Sequence, residues 1–254
     1  MEDHAQDTTF DPEDQHRGRT SPPLSPAQLG VYFEHFRDVA GGSLNIGQVT
    51  SIVGDLDIDV FRRAAAQVIA ETPALNLAIV SSGDEPHQEY VDRSAVEIGF
   101  YDLRQAADPE VARLACLKQV TFTPFDLARD ALFRWALIKT REGATDWVQV
   151  YHHIVVDGWS AQLLVSRVAT CYGLLLAGDT ASGSANAEPE PYADHIAEQL
   201  AYQSSDAAVR EGGYWRDLLS GADVATPFEA RHTTCQPANE AHFVRHGLVL
   251  EGER

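Results

Sequence analysis

Two adjacent histidines, His152 and His153, are followed by Asp157 and Gly158. An imidazole titrates near pH ~6.5, so it can take up or release a proton at neutral pH. A nearby aspartate can hold a loop in place, and a glycine lets backbone approach a ligand closely. Together these residues suit acyl transfer, with a base for the attacking group and an anion-friendly turn for the oxyanion. A metal site fits less well, because His152, His153 and Asp157 match no zinc spacing. Either histidine alone is more often structural than catalytic. The bare pattern therefore leaves the structural and chemical readings evenly weighted.

The flanking elements refine this. Residues 147–151 are rich in β-branched and aromatic side chains and read as a strand. From Ser160 onward, Leu163, Leu164, Val168 and Tyr172 recur at helical spacing. Neighbouring side chains on a strand face opposite ways, so the two histidines cannot share one job. One is expected to be buried and held, the other to face a cavity. Gly158 is expected to allow a tight turn, and the helix start offers free N–H groups to a developing negative charge.

Upstream, Ser25 and Pro26 start a helix whose stripe of Leu29, Tyr32, Phe33 and Phe36 is expected to face the core. Gly41, Gly42 and Ser43 lack the context of a carrier serine or a phosphate loop and read as a turn into a strand, 45–56. Asp57 or Asp59 starts a helix through Phe61, Ala64, Ala65, Val68 and Ile69, which Pro73 ends. Residues 75–80 and 88–91 read as a hairpin, 97–101 as a short strand, and 109–120 as a helix. Residues 132–139 form a strand next to 147–151, joined at Glu142 and Gly143. Helices at 192–203 and 206–219 follow an acidic loop, 179–191, and residues 242–250 read as a strand.

The run His152-His153-Ile-Val-Val-Asp157-Gly158-Trp-Ser160 resembles the HHxxxDG signature of condensation domains in nonribosomal peptide synthetases. These belong to the superfamily of chloramphenicol-acetyltransferase-like acyltransferases. Ser25-Pro-Ala-Gln28-Leu-Gly-Val-Tyr32 is similar to the family's opening SxAQxxxW segment, with tyrosine for tryptophan. Phe125-Asp-Leu127, Leu132-Phe-Arg134 and Tyr214-Trp215-Arg-Asp-Leu-Leu219 resemble further family segments, in the family's order.

The resemblance implies an α/β (α+β) fold: a chloramphenicol-acetyltransferase-like lobe with a mixed β-sheet flanked by helices. Residues 21–220 would form the N-terminal lobe. Residues 1–20 would be a disordered segment, and 221–254 the start of the crossover to a second lobe. The chain thus resembles about half of the family's domain, a half-site open on one side.

The implied reaction joins a carrier-bound acyl thioester to a carrier-bound aminoacyl amine. Donor and acceptor carrier proteins would present both substrates on phosphopantetheine arms, with adenylation and carrier domains downstream. No cofactor or metal is expected on this chain. His153 matches the family's active-site histidine, and the Gly158 N–H matches the position proposed to face the substrate carbonyl. His152 and Asp157 match structural members of the motif, with Asp157 expected in an ion pair. Trp159 and Ser160 read as a packing residue and a helix-start polar group. Tyr151 to Gly158, with Asp102-Leu-Arg104 upstream, is most similar to domains that begin a synthetase. Some of those, in siderophore synthetases, accept an aryl or fatty acyl group.

One departure stands out. The family's RHExLR motif would fall at Glu71-Thr-Pro-Ala-Leu75-Asn76, which has neither arginine. That loss favours one alternative, a silent recruitment module; the other alternative is a free-standing acyltransferase to a hydroxyl acceptor, which the second lobe would distinguish. The two histidines exclude the family's cyclisation relatives, which carry aspartates there, and the Trp-Ser after Gly158 departs from the epimerisation relatives.

Charge and composition narrow the classes. Among 254 residues, 19 basic and 38 acidic side chains give a net charge of −19, which argues against nucleic-acid binding. Polar, acidic opening residues and the lack of a long apolar run argue against a signal peptide or membrane span. Cys116, Cys171 and Cys235 are scattered without metal spacing, which fits a reducing cytoplasm.

Overall fold

Ser25 opens the first helix, α1 (Pro26–Arg37), with a capping box: its hydroxyl accepts the Gln28 N–H while the Gln28 side chain accepts the Ser25 N–H. The computed structural model describes residues 23–38, 41–82, 85–179 and 192–221. β1 (Asn45–Val53) follows a turn in which Gly41 and Gly42 both have positive φ. It stops three residues short of the expected end because Gly54 adopts φ +106°, outside the range of a strand. Asp57 caps α2 (Ile58–Ala70), which buries Phe61, Ala64, Ala65, Val68 and Ile69. Pro73 then turns the chain through a short 3₁₀ segment (Pro73–Asn76).

β2 (Leu77–Ser82) and β3 (Glu85–Tyr90) form a separate antiparallel hairpin. β4 (Gly99–Asp102) and α3 (Pro109–Phe122) lead to β5 (Phe133–Arg141) and β6 (Ala144–His152). α4 (Gly158–Leu176), α5 (Tyr192–Gln203) and α6 (Asp206–Leu219) complete the described chain.

Four strands make one sheet in the order β1-β6-β5-β4, with β4 parallel to β5 and the other pairs antiparallel. This is the mixed sheet expected from the resemblance. Side-chain alternation decides what covers each face. Trp147 stacks edge-on with Phe61 of α2, and Gln48, on the same face, donates to the Ala161 carbonyl of α4. Asp146 and Gly47 point the other way: Arg113 of α3 pairs with Asp146, and Thr121 of α3 fills the space beside Gly47. The sheet is thus a middle layer, and large side chains such as Leu132, Leu137, Val150 and Tyr151 are fully buried. Each such burial contributes about 1.5–3 kcal/mol.

The α1 stripe corrects the sequence expectation. Phe33 and Phe36 are 58% and 65% exposed, Leu29 is exposed too, and the buried residue of α1 is Gln28. Amphipathic spacing marks an apolar face but does not say that anything covers it. Val31 and Tyr32 pack against the core in part, and polar bonds add to their hold: the Gln28 amide donates to the Gln88 side chain and to the Ile154 carbonyl.

The chain divides into two compact units, one through Ala208 and one from Val209, so the division falls inside α6. The expectations for residues 1–20, the loop at 180–191, the segment after 221 and Cys235 lie outside the described residues. Among the described residues Cys116 and Cys171 are free thiols, and no helix is long and apolar enough to cross a membrane.

Candidate active site

β6 delivers the histidine pair. Tyr151 and His152 take opposite faces of the strand, and His152, its last residue, is 1% exposed. Its backbone N–H donates to the Leu132 carbonyl. Its Nδ1 accepts the Ile154 N–H at 3.1 Å, and its Nε2 lies 3.2 Å from Nδ1 of His35 on α1. A backbone N–H only donates, so Nδ1 of His152 is the unprotonated nitrogen and Nε2–H donates to His35. Burial, followed by repulsion from His35 and His153, pushes His152 down to about 4. A neutral, buried and doubly bonded imidazole holds structure.

His153 stands one residue beyond β6 and is exposed. It lines a cavity of about 630 Å³ together with Gln28, Val155, Asp157, Ser160 and Leu164. Its side chain makes no hydrogen bond among the described residues, which leaves both ring nitrogens for a ligand. Its backbone, by contrast, is held on every side. The His153 N–H donates to the Leu44 carbonyl at 2.9 Å, the Ile154 N–H is bound by His152, and the Ile154 carbonyl is bound by Gln28 at 3.2 Å. A fixed main chain with an unengaged imidazole is the arrangement a positioned base requires.

Asp157 is the N-cap of α4. Its Oδ1 accepts the Ser160 N–H at 2.7 Å and the Ser160 hydroxyl at 2.6 Å. The Ser160 hydroxyl, then its N–H, hold the Asp157 carboxyl below the usual carboxylate range. The expected ion pair is absent among the described residues: Asp157 caps a helix instead. Asp157→Ala should accordingly lower stability by only about 1 kcal/mol, the size of a lost cap, and Asp157→Asn by less. A loss of the order of 3–5 kcal/mol in the denaturation midpoint would instead indicate a buried pair.

The positions of the missing arginines are differently occupied. Asn76 is fully buried and donates to the Ile69 and Thr72 carbonyls while its Oδ1 accepts the Arg93 N–H. Glu71, the cap at the end of α2, pairs with Arg167 of α4 at 2.9 Å and so ties the two helices together.

Gly158 also departs from expectation. Its φ is not positive, and a Cβ built on it would meet nothing within 4 Å. No turn in this lobe requires a glycine there, so the open space is available to a ligand. Gly158→Ala should leave thermal stability unchanged or raise it by up to about 1 kcal/mol, since alanine suits a helix better. The same variant tests whether a ligand needs that space: turnover should fall while the fold persists. Trp159, expected to pack, is 77% exposed.

Three contributors escaped the sequence reading. Gln28 bridges α1 to the histidine loop, and His35 accepts from His152. Arg134 lays its guanidinium 3.6 Å over the Phe125 ring and donates to the Thr123 and Pro124 carbonyls, while Phe125 presents its ring edge-on to His152. The signal for Gln28 and Phe125 was present in the opening segment and in the Phe125-to-Arg134 run, as residue types without an assigned task. No cluster of potential metal ligands occurs among the described residues.

Comparison with known proteins bears on this geometry. A family model described as the condensation domain matches residues 19–241. The chain belongs to the condensation-domain family. It is 30% identical over 222 residues to an isonitrile lipopeptide synthase of Streptomyces coeruleorubidus, covering 87% of the chain and 15% of that protein. It is 27% identical over 227 residues to a dimodular nonribosomal peptide synthase of Bacillus subtilis, covering 89% and 9%. Among solved structures, the starter condensation domain of rhizomide synthetase in complex with C8-CoA superposes with a TM-score of 0.74 at 30% identity, over 79% of this chain and 46% of that one. The first condensation domain of the CDA synthetase gives 0.71 at 25% identity, over 81% and 52%. The present chain therefore spans about half the length of these solved condensation domains. The four-stranded sheet, the helical layers and the HHxxxDG loop lie within the matched region.

Proposed function

We propose that this condensation-domain lobe contributes the histidine wall of a site that joins a carrier-bound acyl thioester to a carrier-bound aminoacyl amine. The observation that carries the reading is His153: an unengaged imidazole on rigidly held backbone, facing a cavity beside the Asp157-capped start of α4. The amine nitrogen attacks the thioester carbonyl, the C–N bond forms, the C–S bond breaks, and the thiol leaves with a proton. His153 accepts or positions the amine proton, and the Gly158 N–H at the helix start stabilises the oxyanion. His152 and Asp157 hold the loop.

The donor and acceptor are the phosphopantetheine thioesters of two carrier proteins, with adenylation and carrier domains in the same cytoplasmic synthetase. Val31, Val155, Val156, Leu163 and Leu164 make much of the cavity wall apolar, which suits an aliphatic acyl donor of the lipopeptide or siderophore kind. The lobe alone is inactive in this reading, because half of the channel comes from elsewhere.

A recruitment role draws its support from the missing arginines. Against it, the loop is held without them, through Gln28, His152 and the Ser160 cap. The test is product formation by the full-length polypeptide carrying this sequence, given acyl-loaded donor carrier and acceptor carrier loaded with an amine or a hydroxy acid. An amide product of the expected mass supports condensation. An ester formed in preference makes the protein an acyltransferase to hydroxyl acceptors, and no product from folded protein moves recruitment to first place.

A further inference from the structure

His35 takes no part in the chemistry above, yet it is the residue that completes the hydrogen bonding of His152. The two rings meet edge-to-face with centroids 5.1 Å apart and Nδ1 to Nε2 at 3.2 Å. His35 sits on α1, the helix whose Gln28 holds the Ile154 carbonyl, so one helix grips the histidine loop at two points. Burial lowers the proton affinity of His35, outweighing Asp38 and Asp126, which act the other way. It borders a second cavity of about 520 Å³ with Tyr32, Phe36, Phe125 and Asp126.

We propose that His35 is a positioning residue for the condensation site: by accepting the His152 Nε2–H it fixes the tautomer that leaves Nδ1 of His152 open to the Ile154 N–H, and so sets where His153 stands. The alternatives are costly. If His35 stopped accepting, Nε2–H of His152 would be buried without a partner, which is unfavourable. If His152 shifted its proton to Nδ1 to avoid this, that N–H would face the Ile154 N–H, and two donors would repel. The tautomer shift, which relieves the first problem, removes the acceptor of the Ile154 N–H and releases the backbone directly after His153. A displacement of the reacting group by about 1 Å is enough to cost a hundredfold in rate.

The proposal rests on the amide-forming reading for its kinetic test and on geometry alone for a spectroscopic one. In the full-length polypeptide, His35→Leu fills the space without an acceptor, and His35→Asn places an amide oxygen near the position of Nδ1. With loaded carriers, His35→Leu is expected to lower kcat by about ten- to a hundredfold with KM within about twofold, and His35→Asn to return kcat to within about threefold of wild type. Full kcat in a folded His35→Leu protein would overturn the proposal. If the leucine variant does not fold, the asparagine variant decides: near-wild-type kcat supports it, and loss of kcat in folded protein overturns it. Should wild type itself form no amide, the functional reading fails, and ¹⁵N-histidine NMR still decides this one. An unprotonated Nδ1 on His152 in wild type that is lost or averaged in His35→Leu supports the proposal, and a protonated Nδ1 in wild type contradicts it.

Discussion

His152→Ala lowers the unfolding free energy of the lobe by about 3 kcal/mol, whereas His153→Ala leaves it within about 0.5 kcal/mol of wild type. The residues are neighbours and chemically identical, so only their surroundings separate them. Removing the His152 ring empties a fully buried site between Phe125, His35 and the end of β6, and strips the Ile154 N–H of its acceptor. A cavity of that kind and a buried orphan donor are each worth a few kcal/mol at most, and partial relaxation brings their sum down. His153 is exposed and its side chain has no bonded partner among the described residues, so truncation disturbs water and little else. Denaturant midpoints of the two variants, measured beside wild type at pH 7.5, check the contrast. Equal losses would mean that the pair shares one environment.

The second large effect is an acid-induced loss of stability centred on His152. In the native lobe it titrates at about 4, and in the unfolded chain near ~6.5. Above pH ~6.5 both states are neutral at this residue, and the full stability is present. As pH falls through the interval, the unfolded chain takes up a proton that the native state refuses, so stability falls with pH. The loss is complete below about pH 4 and amounts to about 3 kcal/mol, from about 2.5 pH units at 1.36 kcal/mol each. His35, also lowered by burial, adds in the same direction. Carboxylates protonate over part of this range, Asp102 only near 2, so the difference between wild type and His152→Gln is the informative quantity. Urea midpoints between pH 7 and pH 4.5 should converge for the two proteins as the pH falls. Parallel curves would show that His152 is not held neutral by the fold.

Much of this site was legible in the residue order. β-branched and aromatic residues before His152 and helical spacing after Ser160 located β6 and α4, and strand alternation implied that one histidine is held while the other faces out. The helix starts at Ser25 and Pro109 followed from capping chemistry, which also narrowed the second start to Asp57 or Asp59, of which Asp57 is the cap. Three things were not legible, each for a definite reason. The apolar stripe of α1 has the period of a core-facing helix, and periodicity carries no information about whether a partner covers it. His35 and His152 are 117 residues apart in sequence, and no local rule connects them. The family pattern implies a charged partner for Asp157, while a hydroxyl and an N–H three residues on satisfy it locally.

In the proposed reaction His153, and not its buried neighbour, stands at the reacting centre. The most direct measurement is single-turnover amide formation by the full-length polypeptide carrying His153→Ala, with carriers loaded beforehand and products weighed by mass spectrometry. The expected result is a fall of about 10²–10⁴-fold with the denaturation midpoint unchanged. Wild-type turnover in the folded His153→Ala protein would contradict it.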